Sequence, residues 1–445
     1  MTILVQKTLL TLFVVLALTS GAFAQGSITP TGTPGATMKS LDQIEPRTRI
    51  SSLPFTIGTP GSYYLTASLN VTAGNAITIN ANNVTVDLNG FTLSSTEASP
   101  AGTGILLSGN RSHIHIQNGH IRGNVVYSAG SYSGSGFANG ISYTGTLSSV
   151  RVTNVSVSGC SMHGINVGFG TSRIVESCTA DTVGGNGLHA DTVSNSVAYQ
   201  SGMSGITAVT VNNSSGHTVG SGSGVDGETV TNCYGYANTN RGIRANGTAT
   251  NCFGQSNTGR GLSAKNASGC FGLSATGIGL DADMVSNCFG QSNSNYGIYS
   301  YVATNSYGYS VTNGTGLYAF GNATNCTGES GGSGNGLEVE ESALNCLGTS
   351  STGTGLLGIN VMNCTGRSGS GTGLAGSLVQ NSSGSTNSGS DTFHFGIYAG
   401  SVAIGCYGSN PGAGLAIAVQ GIAVSCIAAG GQSDIGYSYH YNMPP

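Results

Sequence analysis

Hydrophobic and polar positions alternate in short bursts along this chain, and each burst follows a glycine. Between Gly164 and Leu415, Gly followed by Ile, Leu or Val recurs fourteen times at intervals of 18 to 23 residues, as at Gly242-Ile243, Gly261-Leu262, Gly279-Leu280 and Gly297-Ile298. A fixed period of this length is the mark of a solenoid. The unit is too short for a helical pair, and 74 glycines with nine prolines in 445 residues exclude a helical repeat or a collagen period. After each Gly the apolar residues fall on alternate positions, Leu262 and Ala264, Leu280 and Ala282, Leu317 and Ala319, as strands with one buried side require. Each coil is expected to add one strand to each sheet.

A second phrase runs in phase with the first: Ala or Val, a variable residue, Asn, then Cys or Ser, as in Ala249-Thr250-Asn251-Cys252. Asn tolerates the left-handed backbone of a tight bend and can bond to its copies one coil away, so Asn195, Asn213, Asn232, Asn251, Asn287, Asn305, Asn325, Asn345, Asn363 and Asn381 read as a ladder at the corner. The position that follows accounts for all eleven cysteines, with Ser at 196, 214, 306 and 382. An odd set in one column argues against a disulfide framework and for small buried core fillers. Zinc ligation would need a cluster with His partners, which the spacing does not provide.

Lys7, the apolar run Leu9 to Leu18 and Ala22-Phe23-Ala24 before Gln25 fit a signal peptide over 1–24, so the chain is expected to be secreted or displayed at the cell surface. Residues 25–54, rich in Pro, Thr and Gly and then partly charged, read as a linker and N-terminal cap, and 55–445 as the solenoid, about 17 coils in length. No later run approaches the length of a membrane span. A net charge of −4 and 7% charged residues make nucleic acid a poor partner.

The stretch Gly61-Ser62-Tyr63-Tyr64-Leu65-Thr66, the strand Ile77-Thr78-Ile79 and the run Asn83-Val84-Thr85-Val86-Asp87-Leu88-Asn89-Gly90-Phe91-Thr92-Leu93 resemble the opening coils of secreted bacterial right-handed parallel β-helix repeat proteins of the pectate-lyase-like superfamily. The resemblance covers the chain from about residue 50 and implies an all-β, right-handed parallel β-helix with 18–20-residue coils. It also implies a polysaccharide context, since the superfamily includes pectate lyases, polygalacturonases, alginate epimerases and phage tailspikes. The acid clusters of its lyases and galacturonases find no residue-by-residue match here.

Chemistry is therefore sought among outward positions. Of nine acidic residues between 188 and 341, seven fall at the 18 outward positions that follow the glycines, because the core admits none. Among these, Tyr299, Tyr301, Tyr318 and Phe320 form an aromatic group flanked by Asp281 with Asp283 and by Glu338 with Glu340. Aromatic rings suit the C–H faces of sugars and carboxylates accept their hydroxyls, so the strip suits a neutral glycan. The two acidic pairs are expected three rungs, about 14 Å, apart. That exceeds the roughly 5 to 9.5 Å of a paired-carboxylate glycosidase. Within one pair, Asp281 and Asp283 are close enough to hold Ca²⁺, although no cofactor motif recurs along the repeats.

The alternative is a polysaccharide lyase or hydrolase. Matching Val86 and Leu88 to Ile114 and Ile116, and these to Val150 and Val152, stacks Asp87, His115 and Arg151 as an acid-base column. The pattern favours a polysaccharide-binding or structural surface protein over this enzyme reading, with a cell-surface glycan as the partner.

Overall fold

The computed structural model describes residues 46–387 and 394–436. The expected signal peptide, the linker as far as residue 45 and the chain beyond 436 lie outside the described residues. From Thr48 onward the chain is a parallel β-solenoid of about 20 turns of roughly 19 residues, with no helix among the described residues. Coiling begins earlier than the pattern implied. Thr48–Ile50, inside the segment read as linker and cap, already pairs in parallel with Tyr63 to Leu65.

The coil beginning at Gly261 is representative. Leu262, Ser263 and Ala264 pair with Leu280, Asp281 and Ala282 of the next coil and form the first face. Pairing passes over Lys265 and resumes at Asn266 to Ser268, the second face. After a corner at Gly269, Phe271–Ser274 forms the third face and pairs with Phe289–Ser292. Leu262, Ala267 and Cys270 point inward at 3% exposure or less. Each coil thus buries at least one large aliphatic side chain, worth about 1.5–3 kcal/mol, between its neighbours above and below.

The corner explains the second sequence phrase. All ten ladder asparagines have φ between 47° and 54°, and Asn89, Asn118 and Asn154 carry the same conformation into the early coils. Where the ladder has Gly269 and Gly405, φ is 62° and 61°. Amides bond along the axis, Asn232 Nδ2 to Asn213 Oδ1 at 3.1 Å, Asn325 to Asn305 at 3.1 Å and Asn345 to Asn325 at 3.2 Å.

The Cys or Ser that follows is more than filler. The left-handed corner leaves its backbone N–H buried, and the side chain one coil on accepts that bond: Cys346 N–H donates to Cys364 Sγ at 3.3 Å, Cys364 N–H to Ser382 Oγ at 3.1 Å and Cys178 N–H to Ser196 Oγ at 3.0 Å. The same side chain donates to a carbonyl two residues back, Cys364 to Met362 O at 3.1 Å and Ser196 to Ser194 O at 2.7 Å. Donor and acceptor in one small group is what the column requires, and Cys and Ser both supply it. All eleven cysteines are free thiols. Burial pushes the Cys160 thiol up to about 12 and Cys178 to about 11, which keeps them protonated and unreactive.

The third face is thin because glycine lies beneath it. A Cβ on Gly272 would stand 2.2 Å from the Gly279 carbonyl oxygen, so the backbone of one coil rests directly on the entry to the next. Outward from this face run two aromatic columns. Tyr234, Phe253, Phe271 and Phe289 stack with centroids 4.6 to 5.4 Å apart, and Tyr307 closes the row edge-on at 5.2 Å. Beside them His217 lies between Tyr199 and Tyr236, at 4.8 and 4.7 Å. His217 Nδ1 accepts the Gln200 backbone N–H at 3.3 Å, and Gln200, at φ 51°, has its carbonyl bound by the Tyr132 hydroxyl at 2.8 Å. Tyr132 belongs to the one antiparallel pair among the described residues, Val126–Ser128 with Ser131–Ser133.

Two outcomes are expected. Replacing Cys364 by Ala orphans the Cys346 N–H and costs about 1–3 kcal/mol, whereas Cys364→Ser costs about 1 kcal/mol or less. Denaturant midpoints of the two variants check this, and equal losses would refute the relay. Burial holds His217, His163 and His189 below the usual imidazole value, so the folded chain binds fewer protons there than the unfolded one. Their contribution is complete above about pH 6.5 and is lost as pH falls through the lowered folded values. Melting temperature should drop between about pH 7.5 and pH 5, and His217→Gln should flatten part of that slope.

Candidate functional site

The glycine-phased strands place the aromatic and acidic strip on the first face. Asp281 pairs with Tyr299, Tyr299 with Tyr318 and Tyr318 with Glu338, so the two acidic pairs do stand three rungs apart. Asp283, Tyr301, Phe320 and Glu340 occupy the neighbouring, more exposed column, where Tyr301 is 57% exposed.

The rings do not form one flat platform. Tyr299 and Tyr318 stack on each other, centroids 5.4 Å apart and planes 10° from parallel, so each covers one face of the other. Phe320 stands perpendicular to both, at 5.1 and 4.9 Å. Tyr296, from the preceding turn, leans on the same pair at 5.2 and 5.5 Å and completes the cluster. Stacking follows from the fold, since consecutive rungs bring identical positions closer together than two rings can lie side by side.

The carboxylates are engaged. Asp281 Oδ2 pairs with Arg260 Nε at 2.6 Å, Glu338 Oε2 accepts from Asn335 Nδ2 at 2.9 Å, and Glu340 accepts the Tyr318 hydroxyl. Burial raises the Asp281 carboxyl despite the opposing pull of Arg260. Burial, then the bond to Glu340, pushes the Tyr318 phenol up, which keeps it a hydrogen-bond donor. Arg260 on Asp281 ties up one member of the pair considered for Ca²⁺. Among the described residues no group of three His, Cys, Asp or Glu side chains is placed to hold a metal ion.

Beyond Glu338 and Glu340 the face falls away into a trough of about 520 Å³. The outward residues Ala375, Ser377 and Gly400 are small and leave its floor low, Leu357 and Ile359 make it apolar, and Tyr398 forms the far wall. The Tyr318 column continues straight into it, Glu338 pairing with Leu357, Leu357 with Ala375 and Ala375 with Tyr398. The strip and the trough are therefore one surface.

The early acid-base column is rearranged. Val84, not Val86, lies opposite Ile114, so His115 faces Thr85, and Asp87 faces Gln117. The slip is two residues because the intervening coil is longer, and it keeps all three side chains outward. Arg151 does lie opposite His115, but its guanidinium binds Glu176, a partner the sequence reading left out. His115 Nε2 sits 2.9 Å from Thr153 Oγ1, and burial, then Arg151, lowers its pKa while Asp87 opposes the shift. Asp87 Oδ1 accepts the Asn89 N–H at 2.9 Å. His113 has φ 57°, the left-handed conformation that Asn83 and Ser149 also adopt in the adjacent coils. Asp191 is held by backbone: its oxygens accept the Gly170 and Arg173 N–H groups at 2.7 and 2.9 Å.

Tyr296, Tyr398 and the third-face aromatics are absent from the sequence reading. The last had a signal, the residue after each cysteine in Cys252-Phe253-Gly254 and Cys288-Phe289-Gly290. No helix among the described residues is long and apolar enough to cross a membrane.

No family model and no curated protein matches the chain. Among solved structures, it is similar to the A-module of mannuronan C-5 epimerase AlgE6 from Azotobacter vinelandii, with 13% identity over 85% of this chain and 89% of that one and a TM-score of 0.23. It is also similar to PfbA, a surface adhesin of Streptococcus pneumoniae, with 10% identity over 86% and 84% and a TM-score of 0.17. Likeness at this level carries nothing about site or activity; the parallel solenoid rests on the strand pairings themselves.

Proposed function

We propose that this protein is a secreted or cell-surface rod that binds a neutral polysaccharide on its first face without cleaving it. The trough between Glu338 with Glu340 and Tyr398 carries this reading. Its volume lies within the range of small-ligand sites, its floor is apolar, and acceptors stand on one rim. A sugar ring can lay its C–H face on Leu357, Ile359 and Ala375 and give its hydroxyl protons to the carboxylates. Four acidic side chains along the strip, Asp281, Asp283, Glu338 and Glu340, disfavour uronates by like-charge repulsion.

The lyase or hydrolase alternative draws less support. Its acid is offset from its base, and its Arg151 is already paired with Glu176.

Retention on neutral and acidic polysaccharides, followed together with reducing ends and unsaturated uronates, tests the proposal. Neutral glycan should be retained without products, and Tyr398→Ala or Tyr318→Ala should weaken binding about tenfold or more, equivalent to ~1.4 kcal/mol. Product formation abolished by His115→Ala would replace the binder with an enzyme, and affinity unchanged in both tyrosine variants would remove the trough from the account.

A further inference from the structure

A second concavity runs along the corner between the second and third faces. Two openings of about 620 and 410 Å³ share Asn325 and Thr327 and so lie end to end along the axis. One wall is the asparagine corner from Asn287 to Asn363; the other is the outward column of Phe271, Phe289, Tyr307 and Leu347. From Cys270 to Cys364 the groove covers six rungs, about 24 Å. Arg367, at one end, is the one charged residue that lines it.

We infer that this groove holds an extended neutral 1,4-linked glycan lying along the solenoid axis, one sugar to a rung. The amide wall has unused capacity. Asn325 donates to Asn305 and accepts from Asn345, which leaves one N–H and one oxygen lone pair for a ligand at that rung. At Phe271 and Phe289 the facing wall offers ring edges rather than ring faces, because the two stack 12° from parallel at 4.6 Å, and further along it carries Tyr307, Thr327, Leu347 and Thr365. Ring edges carry partial positive charge and suit the oxygens of a sugar chain passing alongside.

The spacing selects the ligand. An extended peptide advances about 3.3 Å per residue and falls out of phase with rungs about 4.8 Å apart, whereas an extended 1,4-linked glycan advances about one rung per sugar. Backbone groups of the coils are spent on one another, so a peptide finds no sheet edge on this wall to join. The near absence of charge disfavours uronans and nucleic acids alike. This site is on a different face from the trough and holds whether or not the trough binds.

Calorimetric titration with neutral 1,4-linked hexasaccharides of glucose, mannose and xylose, each against its disaccharide, tests the inference. At least one hexasaccharide should bind on the order of 100-fold more tightly than its disaccharide. Asn305→Asp with Asn325→Asp, which keeps a residue tolerant of the corner conformation, should remove about tenfold of that gain, and Lys265→Ala, an exposed change outside both sites, should leave it intact. Should the asparagine pair destabilise the chain, Tyr307→Ser on the opposite wall is expected to give the same loss. No binding by any hexasaccharide, affinity independent of length, or a gain lost with Tyr398→Ala instead would overturn it. So would self-association abolished by Phe289→Ser, which would assign the groove to a second copy of the chain.

Discussion

The buried N–H at the left-handed corner is the constraint on which the rest of this solenoid depends. A backbone donor facing the core must be bonded, and no group within its own coil reaches it. The answer is a side chain supplied by the next coil, Cys364 for Cys346 and Ser382 for Cys364, which makes each coil's stability conditional on its neighbour. Asparagine at the corner, cysteine or serine after it and glycine under the third face all follow from turning the chain sharply at the same place in every turn. Cys288, Cys346 and Cys364 are thus backbone acceptors as well as core packing, and serine takes the same role at Ser196, Ser306 and Ser382 despite its different hydrophobicity.

A cross-section this thin leaves little freedom inside. In the regular coils inward positions are mostly one or two aliphatic residues with alanine, glycine, cysteine and serine or threonine, so nearly all large or charged variation is displaced outward. There the stacking period organises it into columns, whatever the residues are. Aromatic residues one rung apart become stacked pairs such as Tyr299 and Tyr318, and a run of small outward residues such as Ala375, Ser377 and Gly400 becomes a trough. Recognition on such a molecule is a matter of which columns are raised and which are lowered.

Much of this was legible in the sequence, for reasons that differ by region. From Gly187 onward the coil length hardly varies, so the inward set, the ten corner asparagines and the three-rung separation of Asp281 and Glu338 could be counted directly. Before that, successive coils differ in length, so Asp87 was matched to the wrong neighbour. The trough was hidden for another reason: it is made by small outward residues, Ala375, Ser377 and Gly400, and small residues in a small-residue repeat draw no notice. Ring orientation was also beyond reach, since alternation says which way a side chain points but not whether its face or its edge meets solvent.

Because each corner is satisfied only by the coil beside it, a coil in the regular region holds no record of its place in the series. Duplicating or deleting one whole unit restores every bond, while a single added residue in a face turns the side chains after it inside out. Length in such a chain is free to change in quanta of one coil. The number of rungs in the axial groove, and with it the number of places along it, would then be set by copying events in the gene rather than by redesign of any contact.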